Sequence, residues 1–288
     1  MKAADPGEGL IEGLSQDEQM NRISGAVAAC LAVAVPLAIV APTAVADTLR
    51  STEQAESRIN ARLASRVDNP HLGPDLAVVV LDSASGRVVF SRRADKPMLP
   101  ASNMKVITAT TAIAAVGPAT TFRTAVFAGQ NPGEIVLQGG GDPLLTSGDL
   151  ATLATSVAKA LDPATPVTLA TDLDLFPKPT LGPGWPRDYV PSVASSVMAL
   201  ARLGDYSTNP ARGAVRVFRD RLKKLGFTVR SGSDADVDAA AVPLAEVHRH
   251  TAADAVRLML RESENNVAEV LYRHVALATG QPATWAGA

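Results

Sequence analysis

Two short polar motifs place the strongest constraint on the fold of this 288-residue chain. Ser102 and Lys105 stand three residues apart where a helical pattern begins, so that both face the same side of the helix. Ser263 and Asn265 lie in a short connector between two further helical patterns. Because 158 positions separate Lys105 from Ser263, a chain that uses both motifs in one reaction must bring distant segments into one cleft.

The residue types in these motifs are those of nucleophilic catalysis. A serine hydroxyl needs a base within hydrogen-bond reach, and a desolvated Lys105 could be that base. Ser102 at the start of a helix also has backbone N–H groups that favour a developing oxyanion. Each motif alone is weak, since Ser102 could cap a helix with Lys105 in solvent, and Ser263 and Asn265 also suit helix caps. Together and in this order they are typical of penicillin-recognising serine acyl enzymes.

Charge and composition exclude several other classes. The 27 Lys and Arg residues against 29 Asp and Glu leave a net charge of −2, so there is no basic field for nucleic acid. The single cysteine, Cys30, excludes an intrachain disulfide framework and a cysteine-based zinc cluster. His248 and His250 are expected on opposite faces of a strand, which is poor chelate geometry. We therefore expect no metal, no cofactor and no nucleic-acid partner.

The amino terminus has the parts of a secretory signal. Arg22 precedes the uncharged run Ile23–Ala41, and the small-x-small triplet Ala44–Ala46 follows. The run is near the lower length limit for a membrane span, and Pro36 interrupts it. We expect residues 1–46 to be a signal peptide cleaved after Ala46, with an uncleaved membrane anchor as the alternative. In either case the mature chain would work outside the cytoplasm.

The rest of the chain alternates between helical patterns and a turn-rich middle. Helices are predicted at about 48–67, 102–116, 149–161, 210–225, 251–260 and 266–278, a hairpin at 75–91, and a strand from Gly226. From about Thr120 short Val and Leu runs alternate with Gly, Pro and Asp clusters. This alternation predicts an inserted, irregular α+β domain.

Four segments together resemble one known family. Leu99–Lys105 resembles the nucleophile motif of D-alanyl-D-alanine carboxypeptidases of the class C, low-molecular-mass penicillin-binding type. Leu137–Leu145 resembles the family's Gly-Gly-Gly-Asp-Pro-x-Leu segment, and Gly184-Trp185 resembles a tryptophan segment of its inserted domain. Leu258–Glu269 resembles its second catalytic motif, usually written with Ser-Asp-Asn. The similarity extends over most of the chain, from about residue 49 to 280.

The resemblance implies an α+β fold of two parts. A serine β-lactamase/DD-peptidase-like domain, with an antiparallel sheet and flanking helices, would carry a large inserted α+β domain. The first part of the transpeptidase-like domain would cover residues 47–120, the inserted domain 121–245, and the second, incomplete part 246–288. The last strands of the sheet would be missing from this sequence.

The resemblance also assigns roles. Ser102 would be the acylated nucleophile, Lys105 its base, Ser263 the group that passes the proton to the leaving D-alanine, and Asn265 the group that orients substrate. The implied protein is a secreted serine D-Ala-D-Ala carboxypeptidase that acts on peptidoglycan stem peptides and is inhibited by β-lactams, with DD-endopeptidase as a second activity that the resemblance allows. Glu264 stands where the family usually has Asp, at a position that is not the reactive one. Asp142 and the three glycines before it are expected to form a structural turn.

The third motif of the family does not occur in this sequence. No Lys-Thr-Gly, Lys-Ser-Gly or His-Thr-Gly follows Asn265, so the implied carboxylate-binding lysine and one oxyanion donor are missing. We expect a truncated or incomplete sequence, with marginal stability, exposed apolar surface and slow acylation. The alternative function is a non-catalytic relic that at most binds peptidoglycan. A β-lactamase is disfavoured, because no Glu-x-x-x-Asn segment lies between the motifs. If the motifs act together, the Ser102, Lys105 and Ser263 side chains should lie within about 3–4 Å of one another.

Overall fold

A computed structural model describes residues 42–177 and 181–288, in two compact units that divide after Pro97. The apolar run Ile23–Ala41 lies outside the described residues, so the signal peptide and its cleavage site stay predictions. Within the described ranges, no helix is both long enough and apolar enough to cross a membrane. The membrane anchor therefore also stays an untested alternative.

The first unit is a long helix with a hairpin. Helix α1 (Pro42–Arg66) covers the helix predicted from about residue 48, and strands β1 (Val78–Leu81) and β2 (Val88–Arg92) pair antiparallel as predicted. The Asn60 amide in α1 donates a hydrogen bond of 2.9 Å to the Val89 carbonyl in β2. This bond attaches the hairpin to the helix.

The second unit carries both predicted motifs. Its elements, in chain order, are α2 (Met104–Ala115), β3 (Thr124–Ala128), β4 (Glu134–Gln138), α3 (Ser147–Ala160), β5 (Val167–Asp172), α4 (Pro210–Lys224), β6 (Val229–Asp234), β7 (Ala245–Val247), α5 (Ala252–Glu262) and α6 (Asn265–Ala278). Short 3₁₀ turns at Ala101–Asn103 and Arg187–Tyr189 lie between them.

Five strands form one mixed sheet in the order β6-β5-β4-β3-β7. Strands β4, β5 and β6 run parallel, and β3 runs antiparallel to both of its neighbours. Parallel neighbours need crossover connections, and the connections that carry α3 and α4 supply them. The apolar side chains of α3 and α4 bury the sheet in one core, which includes Val126, Ile135, Leu137, Leu150, Leu153, Phe218 and Leu222. This sheet lies almost entirely within the segment predicted as inserted.

A second core joins helices α2, α5 and α6. Ala109 and Ala112 are the buried apolar residues of α2, and they face Met259 of α5 and Leu271 of α6. Small alanines allow close approach of neighbouring helices, so α2 and α6 lie in direct contact. The start of α2 and the connector between α5 and α6 thus lie in one unit, although they are far apart in sequence.

The expected placement of His248 and His250 on a strand is wrong. Strand β7 ends at Val247, because Thr251 then caps α5 and the His250 ring hydrogen-bonds the Asp142 carboxyl instead. His248 has a different neighbour, and its Nε2 lies 3.7 Å from Glu246 Oε1. Among the described residues, no three His, Cys, Asp or Glu side chains are grouped so that they could hold a metal ion.

Candidate active site

Ser102 lies in a short 3₁₀ turn directly before α2. Ala101, the residue before it, has a φ of 47°, a left-handed conformation that costs free energy in a residue with a side chain. The Ser102 side chain is exposed, and it caps neither the turn nor the helix: the cap positions are Pro100 and Asn103, and neither side chain makes a capping bond. The alternative that Ser102 is only a helix cap is therefore excluded.

Lys105 is the buried cation of the first turn of α2, with 8% of its surface exposed. Its Nζ donates a hydrogen bond of 2.6 Å to Asn265 Oδ1 and lies 3.3 Å from Ser102 Oγ. Burial lowers the pKa of Lys105, and the charges of Glu264 and Glu269 partly oppose that shift. At a given pH, Lys105 therefore has a larger neutral fraction than a solvated lysine, as a general base requires.

Ser263 ends helix α5 in the left-handed conformation, with φ 55° and ψ 36°. Its hydroxyl donates a hydrogen bond of 2.9 Å to Ser102 Oγ. Ser102 Oγ thus lies between the amine of Lys105 and the hydroxyl of Ser263, at the separations expected for residues that act together. The structure brings all four predicted side chains into one site, and their chemical roles stay predictions.

Asn265 fixes the second motif to the segment before α4. While its Oδ1 accepts from Lys105, its Nδ2 donates to the Val193 carbonyl at 2.9 Å. The next residue, Asn266, accepts a hydrogen bond of 2.9 Å from the Ser195 backbone N–H. Hydrogen bonds thus hold both side-chain amides to this segment. Sequence reasoning did not identify the Val193–Ser195 segment, since a backbone carbonyl or N–H carries no side-chain signal.

Glu264 and Tyr206 form a contact that the sequence did not indicate. The Tyr206 hydroxyl donates a short hydrogen bond to the Glu264 carboxylate. Burial, followed by the bond to Glu264 and its charge, raises the pKa of Tyr206 to about 12, so the phenol stays protonated and remains a donor. The other Glu264 oxygen accepts from the Asn266 N–H at 3.2 Å and caps α6.

Trp185, which was predicted to belong to a family segment, contacts α6. Its indole N–H donates a hydrogen bond of 2.7 Å to Glu269, one turn after Asn265. Burial raises the pKa of Glu269, while the Trp185 bond and the charges of Arg273 and Lys105 oppose the shift. The face of α6 that carries Asn265 is therefore held by polar contacts along its first two turns.

The glycine run and Asp142 have a structural part, as expected. A Cβ on Gly140 would lie 1.5 Å from the Arg123 carbonyl oxygen, and one on Gly141 would lie 2.6 Å from the ring of His274. The His274 ring N–H donates to the Gly141 carbonyl at 2.7 Å, and burial lowers the pKa of His274, so the ring is neutral and buried. Asp142 accepts from the Leu144 N–H and pairs with His250.

Several known proteins are similar to this chain in sequence. The sequence pattern of the D-Ala-D-Ala carboxypeptidase 3 (S13) family matches residues 59–205 and 199–288. Carboxypeptidase Rv3627c of Mycobacterium tuberculosis is 29% identical over 266 residues, which are 85% of this chain. A D-alanyl-D-alanine carboxypeptidase of an Actinomadura species is 39% identical over 99 residues, which are 32% of this chain and 18% of that protein.

The crystal structure of penicillin binding protein 4 from Haemophilus influenzae has a similar fold. It is 19% identical, with a TM-score of 0.58, over 73% of this chain and 64% of that one. The likeness confirms the predicted α+β fold of the DD-peptidase type. The chain spans only 57% of the length of the Mycobacterium tuberculosis protein. The match to the family pattern nevertheless covers most of the chain, which therefore belongs to the D-Ala-D-Ala carboxypeptidase 3 (S13) family.

Proposed function

We propose that this protein is a serine-type D-Ala-D-Ala carboxypeptidase that forms an acyl-enzyme on Ser102. The observation that carries the proposal is the position of Ser102 Oγ, 3.3 Å from Lys105 Nζ and 2.9 Å from Ser263 Oγ. A nucleophile with a desolvated base on one side and a hydroxyl relay on the other is the arrangement needed for acyl transfer.

In the proposed mechanism neutral Lys105 takes the proton of Ser102 as Oγ attacks the carbonyl carbon of the penultimate D-alanine. The C–N bond of the tetrahedral intermediate then breaks. Ser263 donates its hydroxyl proton to the departing amine of the terminal D-alanine, and Lys105 gives Ser263 a proton in its place. Water then attacks the ester carbonyl and gives up a proton to Lys105. The bond between the acyl carbon and Ser102 Oγ breaks, Lys105 returns the proton to Oγ, and the shortened peptide leaves. Asn265 accepts a hydrogen bond from Lys105, and in the proposed mechanism it also orients the substrate amide.

The proposed substrates are peptidoglycan stem peptides outside the cytoplasm. Family membership and the names of the relatives support this, and the same acyl-enzyme would serve a DD-endopeptidase. β-Lactams are the expected inhibitors, because they would acylate the same serine. The export of the chain rests on the predicted signal in residues 1–46.

A non-catalytic peptidoglycan-binding protein is the second candidate. Residues 266–288 contain no Lys-Thr-Gly, the motif to which the family resemblance assigns one oxyanion donor. Loss of one oxyanion donor alone lowers an acylation rate on the order of 10²–10³-fold. We therefore expect acylation of this chain to be slow.

Labelling with a fluorescent penicillin separates the two candidates. The chain should gain one label over hours at saturating reagent, Ser102→Ala should gain none, and the exposed-serine control Ser233→Ala should label like the wild type. Mass spectrometry of the labelled peptide should place the adduct on Ser102. Absence of any label on a folded chain that still binds peptidoglycan would favour the non-catalytic candidate. Equal labelling of Ser102→Ala would show that Ser102 is not the nucleophile.

A further inference from the structure

The Ser263–Asn265 connector is restrained by a contact beyond those of its own polar groups. The half-buried Tyr206 hydroxyl donates to one oxygen of Glu264, and the Asn266 N–H donates to the other. The Glu264 backbone N–H donates to the Met259 carbonyl at 3.2 Å, which closes the end of α5. Glu264 therefore connects three parts of the unit: helix α5, helix α6 and the segment that carries Tyr206.

This restraint lies next to a strained residue. Ser263 has a positive φ, which persists in a residue with a side chain only when its surroundings fix it. Glu264 is the next residue along the chain, so its bonds set the position from which Ser263 Oγ reaches Ser102 Oγ. Without the hydrogen bonds of Glu264, the connector would lose part of the restraint that holds Ser263 Oγ in place.

The charge of Glu264 also acts on the pKa of Lys105. Among the described charged groups, Glu264 and Glu269 are the two carboxylates whose charge acts on the pKa of Lys105. Glu269 is engaged by the Trp185 indole and lies near Arg273, whereas Glu264 is engaged by the neutral Tyr206 phenol.

We propose that Glu264, anchored by the Tyr206 hydroxyl, is a positioning residue that fixes Ser263 against Ser102 and holds a negative charge beside Lys105. Its part in the reaction rests on the proposed acyl transfer, while its effect on Lys105 does not. The substitution Glu264→Gln removes the charge but keeps the side-chain length. Its amide oxygen can still accept from the Asn266 N–H, and its amide N–H can donate to the Tyr206 hydroxyl in the reverse sense, so the variant should fold.

The first test is the titration of Lys105 itself, followed by heteronuclear NMR of ¹³C-labelled lysine and assigned by the signal lost in Lys105→Ala. Removing a nearby negative charge favours the neutral amine, so the pKa of Lys105 should be lower in Glu264→Gln than in the wild type. The matched control is Glu262→Gln, which neutralises an exposed carboxylate two residues earlier and should leave the titration unchanged. Identical titrations in both variants would overturn the proposal, whether or not the chain is an enzyme.

The second test separates the anchor from the charge. Tyr206→Phe should shift the Lys105 titration, because it releases the Glu264 carboxylate. The control Tyr272→Phe removes a hydrogen bond between a hydroxyl on another part of α6 and the Trp285 carbonyl, and it should leave the titration unchanged. Penicillin acylation should fall about 3–10-fold in Tyr206→Phe and remain unchanged in Tyr272→Phe. The loss should largely disappear in the Glu264→Gln background, since the two residues act as one unit. If wild-type chain is not acylated, the proposed function fails while the Lys105 titration still decides this inference. An unchanged titration in Tyr206→Phe would remove Tyr206 from the site.

Discussion

Asp142 is a buried carboxyl held by two neighbours. It accepts a hydrogen bond of 2.9 Å from the Leu144 N–H and lies 2.9 Å from His250 Nδ1. Burial raises the pKa of Asp142, although both hydrogen bonds oppose the shift. A carboxyl whose pKa is higher in the folded than in the unfolded chain stabilises the fold most when it is protonated. Its contribution is therefore fully present below about pH 4 and is lost as the pH rises through the folded pKa.

The substitution Asp142→Asn tests the direction of this shift. Asparagine imitates the protonated acid in shape but does not titrate, so the wild type and the variant should have similar free energies of unfolding at low pH. As the pH rises from about 4 to 7, the wild type should become less stable than the variant by about 1 kcal/mol, measured by urea unfolding at each pH. The control Asp238→Asn alters an exposed turn and should change stability little at any pH. A wild type that becomes more stable than the variant toward neutral pH would mean that an ion pair with His250 dominates instead.

At this scale the sequence identified the residues that stand at fixed spacings and missed those that do not. Ser102 with Lys105 and Ser263 with Asn265 are recognisable because the chemistry requires two groups a few positions apart. Tyr206 reaches Glu264 across 58 positions, with no repeat or spacing to indicate it. Such contacts depend on the tertiary fold and cannot be inferred from local patterns.

Two helices of the second unit begin at capping boxes. Thr146 and Thr251 each form a capping box with the Asp three residues later, and α3 and α5 start directly after them. The strand order of the mixed sheet was not predicted, because the pairing of β4, β5 and β6 depends on crossover connections rather than on local patterns. The ends of β1 and β7 also differed from expectation, since single short strands lack such boundary signals.

Removing the cap of α5 should weaken the element that ends at Ser263. The Thr251 hydroxyl accepts from the Asp254 N–H at 3.1 Å and donates to its carboxylate at 2.7 Å, and both bonds are lost in Thr251→Ala. We expect a loss of about 1 kcal/mol in unfolding free energy, measured by urea unfolding. Thr251→Ser keeps the hydroxyl and should stay close to the wild type. Equal losses in the two variants would point to the methyl group of Thr251 rather than to the cap.

The second unit combines buried cores with an exposed apolar surface at the start of α2. Leu99 is 97% exposed, and Met104 and Ile107 are 47% and 59% exposed. Met104 and Ile107 stand three residues apart and so share one face of the helix. Exposed apolar surface of this kind favours association, since burial against another surface removes it from water.

Placing a charge on this face should therefore reduce self-association. In Ile107→Lys a hydrated ammonium replaces one of the exposed apolar side chains, and the helix keeps its buried contacts through Ala109 and Ala112. Sedimentation velocity over a tenfold concentration range should show a smaller rise in average mass for Ile107→Lys than for the wild type. The control Val242→Lys changes an isolated side chain that is 84% exposed and should sediment like the wild type. If both variants and the wild type associate equally, the α2 face does not drive association. The free energy gained by burying these apolar side chains between two chains would then be too small to hold the chains together.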